Sequence, residues 1–181
     1  MRAAVVVVGD LGRSPRMQYH AHALAANDTA VDLIGYEGAA LPRLIANHPK
    51  ITVHRFAEPR LRRLAGTSIT LYALYAIVDG AKSSYRLWRT LVKLPRPDLV
   101  LVQNPPSMPT LAVAWAFSRL RRARLVVDWH NLGYTLLTLR LGQWHPAVRL
   151  ARWLERVFGR LADAHLCVSR GFAKLDRKSV V

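Results

Sequence analysis

Cysteine is almost absent from this chain: Cys167 is the only one among 181 residues. A single thiol excludes a disulfide framework and a cysteine-ligated zinc centre, and it fits a reducing compartment, so a cytoplasm-facing location is expected. Acidic residues are scarce as well, 11 Asp and Glu against 27 Lys and Arg, which leaves a formal net charge of +16. Such a balance points to anionic partners, whether nucleic acid, phosphorylated substrates or an acidic membrane surface. Long apolar runs are missing too. Val5 to Val8 and the longest stretch, residues 68–78, which is closed by Asp79, fall far short of the roughly 18–20 residues a spanning helix needs. The start of the chain lacks the apolar core and small-residue cleavage site of a signal peptide. No transmembrane helix is expected, only peripheral contact with a membrane. Repeats and low-complexity linkers are absent. His20 and His22, two apart on a predicted helix, point in different directions, so no metal site is expected.

What is present is a core. Hydrophobic residues make up 51% of the chain, which excludes intrinsic disorder and suits one ordinary domain. Val5 to Val8 is a β-branched run closed by Gly9, Asp10 and Gly12, and it reads as a buried strand stopping in a tight turn. Ser14 as N-cap and Pro15 at the first helical position then open a helix carrying Met17, Ala21, Leu24 and Ala25 at helical spacing. The alternation continues with strands at 30–36, 51–53, 98–103, 124–128 and 164–168, and with helices at 68–92, 109–121 and 146–161. Near-continuous apolar strands such as LVLV and LVV imply burial on both faces. The expected fold is therefore α/β, a Rossmann-like, doubly wound and mostly parallel sheet. In the last helix, Ala147, Leu150, Ala151, Leu154, Val157, Phe158 and Leu161 fall on one side at 100° per residue. Arg149, Arg152, Arg156 and Arg160 form a stripe on another, with Trp153 beside it.

In such a sheet, ligands bind beyond the carboxyl ends of the strands, so the loops that follow the strands are the places for chemistry. The first runs from Gly9 to Arg16. Gly9 and Gly12 permit close backbone approach, Ser14 opens a helix N-terminus, and the forks of Arg13 and Arg16 suit phosphate oxygens. Its G-x-x-G spacing is neither the G-x-G-x-x-G of dinucleotide sites nor a P-loop. Both arginines are expected to face solvent and to be removable without loss of the fold. Gln103 and Asn104, on a proline-stiffened turn, are suited to orienting sugar hydroxyls. Asp128, Trp129 and His130 leave the sheet together, a carboxylate, an aromatic platform and an imidazole, and Asp128 or His130 is the candidate general base.

Taken together, GDLGRSPRMQYHA, VDLIGY, LVLVQNPPSMPTL, LVVDWHNLGYTLL and HPAVRLARWLERVFGRLADAHLCVS resemble, in collinear order from about Val5 to Ser169, the N-terminal half of the chitobiosyldiphosphodolichol β-mannosyltransferase family. The resemblance implies a GT-B glycosyltransferase of two Rossmann-like domains. It implies transfer of mannose from GDP-mannose, with inversion and no metal, to a polyprenyl- or dolichyl-pyrophosphate-linked N-acetylglucosamine oligosaccharide. Residues 1–175 then correspond to the acceptor-binding domain, residues 176–181 to a candidate non-native tail, and the C-terminal donor domain is absent, so this piece alone is expected to be inactive. Arg13 and Arg16 would hold the pyrophosphate, Gln103 and Asn104 the sugar, and His130 or Asp128 the proton.

Work on a lipid-linked substrate implies peripheral attachment at the cytoplasmic face of an anionic membrane. Leu71, Tyr72, Leu74, Tyr75 and Ile77 are the candidate contacts, with Arg60, Arg62 and Arg63 near lipid phosphates. Two other readings stand beside this one: a non-catalytic subunit of a split glycosyltransferase, and a basic nucleic-acid-binding α/β domain. The latter lacks a recognition-helix or RNP-type pattern, and no nucleic acid is expected as partner.

Overall fold

The computed structural model describes residues 1–57, 69–105 and 110–168. The strands are β1 (Arg2–Asp10), β2 (Ala30–Tyr36), β3 (Ile51–Phe56), β4 (Leu99–Asn104), β5 (Arg124–Trp129) and β6 (Ala164–Cys167). The helices are α1 (Pro15–Ala26), α2 (Arg43–Ala46), α3 (Ile69–Lys93), α4 (Thr110–Arg121), α5 (Gly133–Leu141) and α6 (Pro146–Arg160). All neighbouring strands pair in parallel, in the order β3-β2-β1-β4-β5-β6. This is a Rossmann-like sheet, and its winding reverses between β1 and β4, which opens a crevice at their carboxyl ends.

Strand alternation divides the core into two layers. Val5, Val7, Leu33 and Leu101 point to the side of α1, where Met17, Ala21 and Ala25 meet them. Ala4, Val6, Ile34, Val100, Val102 and Val127 point the other way, against Leu87 and Leu91 of α3 and Leu111 and Phe117 of α4. Truncating a buried aromatic such as Phe117, fully enclosed, typically costs about 3–5 kcal/mol.

Three local readings are corrected. Ser14 occupies the N-cap of α1 but does not cap it with its side chain; its hydroxyl donates instead to the Asp10 carbonyl, 2.9 Å away. Two helices, α2 and α5, went unread, because neither has an apolar repeat of useful length. The buried face of α6 is Val148, Ala151, Glu155 and Gly159, while Leu150 and Leu161 are exposed. Glu155 turns inward because its Oε1 accepts from the Tyr134 N–H at 3.1 Å, in the first turn of α5, a pairing no hydrophobic pattern reveals.

Among the described residues no helix is long and apolar enough to cross a membrane. The side chains of Leu71, Tyr72, Leu74, Tyr75 and Ile77, and the whole of Arg60, Arg62 and Arg63, lie outside the described residues.

Candidate functional site

The α1-side alternation that buries Leu101 and Val126 brings Gln103 and Asp128 to the same face, one register pair apart from the apolar layer. The strand ends thus carry polar groups on the face that α1 covers. On α1, Arg16 and His20 are four residues apart and share one side of the helix. Both reach Asp128. Arg16 grips it with Nε and Nη2, each 2.7 Å from a carboxylate oxygen, and His20 Nε2 stands 3.6 Å from Oδ2. That last separation is long for a hydrogen bond but close enough for charge attraction.

Asp128 is 0% exposed. Burial pushes its carboxyl up, but His20 and Arg16 together outweigh burial and hold it below the ordinary carboxylate value. The pair therefore stays ionised and locks α1 to the end of β5. This corrects the expectation for Arg16: it is an internal tie, and its removal strands a buried charge. Trp129 is also reassigned. It is fully buried and donates its indole N–H to His165 Nδ1 at 2.9 Å, so it is core and no platform.

The first loop is organised by a residue the sequence reading passed over. Asp10 Oδ1 accepts from the Gly12 N–H at 2.9 Å and the Ala39 N–H at 3.0 Å, tying the loop after β1 to the loop after β2. The Ala39 contact does most to hold the Asp10 carboxyl below its ordinary value; Gly12 and the Arg13 charge add to this against a smaller effect of burial. N–H groups expected to face an external anion thus already face Asp10. The signal was the Asp10-x-Gly12 spacing, which suits a side chain bonding its own backbone two residues on. Gly12 is required for space: a Cβ there would stand 2.4 Å from the Ala39 carbonyl oxygen. Gly9 has no such restriction, since a Cβ there would meet only Val7 at 3.7 Å. Arg13, with a side chain 72% exposed and 3.4 Å from Asp10, is the cation this loop presents outward.

Asn104 stitches the two central loops together. Its carbonyl accepts from the His130 N–H at 2.9 Å, and its Nδ2 donates to the Asn131 carbonyl at 3.2 Å. His130 is exposed, so its imidazole is open to solvent at the mouth of the crevice. Three buried side-chain atoms here, Gln103 Oε1, Asn104 Oδ1 and His20 Nε2, have no hydrogen-bond partner among the described residues. Buried polar atoms are rarely left so, and a crevice that holds several is suited to a hydroxyl-rich ligand or ordered water. Pro106 to Pro109, the rest of the sequence-predicted proline turn, lie outside the described residues.

The family model described as Glycosyl transferase 4-like domain matches residues 12–180. UDP-glycosyltransferase TURAN of Arabidopsis thaliana is 48% identical over 93% of this chain and 36% of its own length. The chitobiosyldiphosphodolichol beta-mannosyltransferases of Yarrowia lipolytica and Homo sapiens are 40% and 38% identical. They cover 98% and 91% of this chain and 38% and 34% of their own lengths. The chain thus spans little more than a third of the curated relatives it matches. Among solved structures, the crystal structure of TcCGT1 in complex with UDP superposes with a TM-score of 0.62 over 99% of this chain and 46% of that one. At 12% identity this likeness shows the fold alone.

Proposed function

Because the chain belongs to the glycosyl transferase 4-like family, we propose that it is the acceptor-binding half of a GT-B mannosyltransferase. In this reading it receives mannose from GDP-mannose, with inversion, onto a lipid-pyrophosphate-linked N-acetylglucosamine oligosaccharide. The observation that carries the reading is the similarity, over nearly all of this chain, to proteins named for β-mannosyl transfer to chitobiosyldiphosphodolichol. The crevice supports it independently. Gln103 and Asn104 supply acceptors without internal partners, which suit sugar hydroxyls, and Arg13 supplies an outward cation for a pyrophosphate.

Inversion needs one group that takes the acceptor proton as the hydroxyl attacks. A carboxylate enclosed by Arg16 is a weak base and is shielded from an acceptor, whereas the His130 imidazole is exposed and can be reached by one. His130 is accordingly the proposed base. Asp128 is the proposed positioning residue, acting through Arg16 to fix α1 and the loop before it. No metal is assigned a part in this scheme, and the membrane in which such a lipid resides would meet the protein at its surface.

The deciding experiment joins this chain to the C-terminal part of the Homo sapiens relative and supplies a polyprenyl-pyrophosphate chitobiose with GDP-mannose or a UDP-sugar. Product with GDP-mannose only, carrying a β linkage by NMR, is expected. Product with a UDP-sugar only, in line with the name of the Arabidopsis thaliana relative, would overturn the donor assignment. Acceptor binding with no product from any donor would favour a non-catalytic subunit instead.

A further inference from the structure

On the face of the sheet opposite α1, between α3 and strands β1 to β3, runs a cavity of about 660 Å³. Its lining follows the edge strand β3 along its length, from Thr52 to Phe56 and on to Ala57, and takes in Arg2 and Asp32 near the amino ends of β1 and β2, with Leu94 and Pro95 just before β4. It shares no lining residue with the site built from Asp10, Arg13, Arg16, Gln103, Asn104, Asp128 and His130, and it owes nothing to the reading above. Among the described residues its lining is one-sidedly basic: Arg2, Arg55, Arg86, Arg89 and Lys93, against one carboxylate, that of Asp32. That carboxylate is buried and already engaged, by Arg2 Nε at 2.8 Å and His54 Nε2 at 2.9 Å. Among the described residues, the charges of Arg55, Arg86, Arg89 and Lys93 thus have no carboxylate partner within the cavity.

The arrangement is also preorganised. Asp32 fixes Arg2 and His54, and the Ala57 carbonyl accepts from Arg86 Nη1 at 3.2 Å, holding that arm in place. Arg89 and Lys93 continue the stripe of Arg86 along α3, at helical spacing, and neither has an ion pair among the described residues. Lys93 in the last turn suits the carbonyl end of its helix, but Arg89 and Arg86, about one and two turns earlier, have no such reason. Thr52 and Thr90 add hydroxyls, and Phe56, Leu94 and Pro95 give an apolar wall. Clustered arginine forks beside hydroxyls and an apolar wall are the chemistry that recognises a phosphate attached to an organic body.

We propose that this groove is a second anion site, one that takes the phosphate or diphosphate group of an organic phosphate, with Arg89 and Lys93 as its free ligands. The probe is inorganic diphosphate, titrated into the chain by calorimetry and by ¹H–¹⁵N NMR. Vesicles of phosphatidylcholine with or without phosphatidate form a second arm.

Saturable binding is expected, with amide shifts at Thr52, His54 and Thr90 that report this groove separately from the Arg13 loop. Arg89→Ala/Lys93→Ala should weaken it by about tenfold or more, while the charge-matched Arg43→Ala/Arg149→Ala, on exposed residues away from the groove, should leave it within about twofold. Both double variants keep the core, so an unchanged thermal midpoint verifies folding. Equal loss in both variants would mean diffuse surface charge, and no saturation at millimolar diphosphate would mean no site; either overturns the proposal. If phosphatidate vesicles are captured through Arg89 and Lys93, the natural source is a lipid headgroup. If only soluble diphosphate binds, it is a free phosphate compound.

Discussion

Arg16 and Asp128 show how one contact changes what a substitution means. An exposed arginine contributes little to stability, but one that neutralises an enclosed carboxylate leaves an uncompensated charge when removed, at a cost of ~3 kcal/mol. Arg16→Ala is therefore expected to lower the thermal midpoint by roughly 6–12 °C for a domain of this size. Calorimetry on the double variant Arg16→Met/Asp128→Leu should recover most of that loss, since removing both charges removes the penalty. A single variant as stable as wild type would show that the pair carries no tension. Arg13→Ala is the contrasting case. It should leave the midpoint unchanged and weaken a pyrophosphate-bearing acceptor by about ten- to a hundredfold in titration, because a charged bidentate contact contributes about 1.5–3 kcal/mol. His130 is tested in the joined enzyme. His130→Ala should lower kcat by about two to four powers of ten. Asp128→Asn, at a positioning residue, should lower kcat by a smaller factor.

At the scale of elements, the sheet was legible and much of the site was not. Runs such as Val5 to Val8 and Leu99 to Val102 are apolar because both faces of their strands are covered, and apolar runs are what a sequence displays most openly. The carboxyl-end loops were legible for the same reason: they begin where the runs stop. What stayed hidden is pairing at a distance. Arg16 and Asp128 are 112 residues apart, and no local spacing announces that the two will share a charge. The choice of Asp10 over an external anion in the first loop depends on Ala39, supplied by a different strand's loop. On α6 the apolar arc is inner only in part: Ala151 is buried and Phe158 packs against the core, but Leu150 and Leu161 are exposed and the polar Glu155 takes an inner position against α5. Apolar residues on α5, on α6 and in the loop between them are left outside: Leu139 is 84% exposed, Trp153 57% and Trp144 82%. Arg149 and Arg152 are exposed close by in sequence, and Arg152 lies over the Tyr134 ring, 4.8 Å from its centroid. Exposed tryptophans among arginines suit the headgroup layer of an anionic bilayer. Co-sedimentation with anionic vesicles should fall several-fold in the triple variant Leu139→Ser/Trp144→Ser/Trp153→Ser. Undiminished recovery would place any membrane contact elsewhere.

At the scale of the whole molecule, five carboxylates among the described residues are paired with cations. Asp10, Asp28, Asp32, Asp128 and Asp163 each lie beside a cation: Arg13, Lys50, Arg2, Arg16 and Arg119 respectively. The excess of +16 is thus left on the surface, where it repels itself in the folded state. Acid makes both terms worse. Asp128, Asp10 and Asp28 have carboxyls held below their ordinary values in the fold: Asp128 by His20 and Arg16 against burial, Asp10 chiefly by the Ala39 N–H, and Asp28 by the bond and charge of Lys50. A carboxylate whose pKa is depressed on folding stabilises the native state above its unfolded value, near 3.9, and that contribution is lost as the pH falls through the lower, folded value. Protonation simultaneously raises the net positive charge. Stability should therefore be flat from about pH 7 to 5 and decline steeply below about pH 4, with the decline displaced to lower pH by added salt that screens the surface. Asp128→Asn, read by urea unfolding across this range, should be less stable at pH 7 and lose less on acidification, because the enclosed carboxyl no longer titrates. Parallel pH curves for the variant and the wild type would mean that the acid sensitivity comes from the other carboxylates and from surface repulsion, not from Asp128.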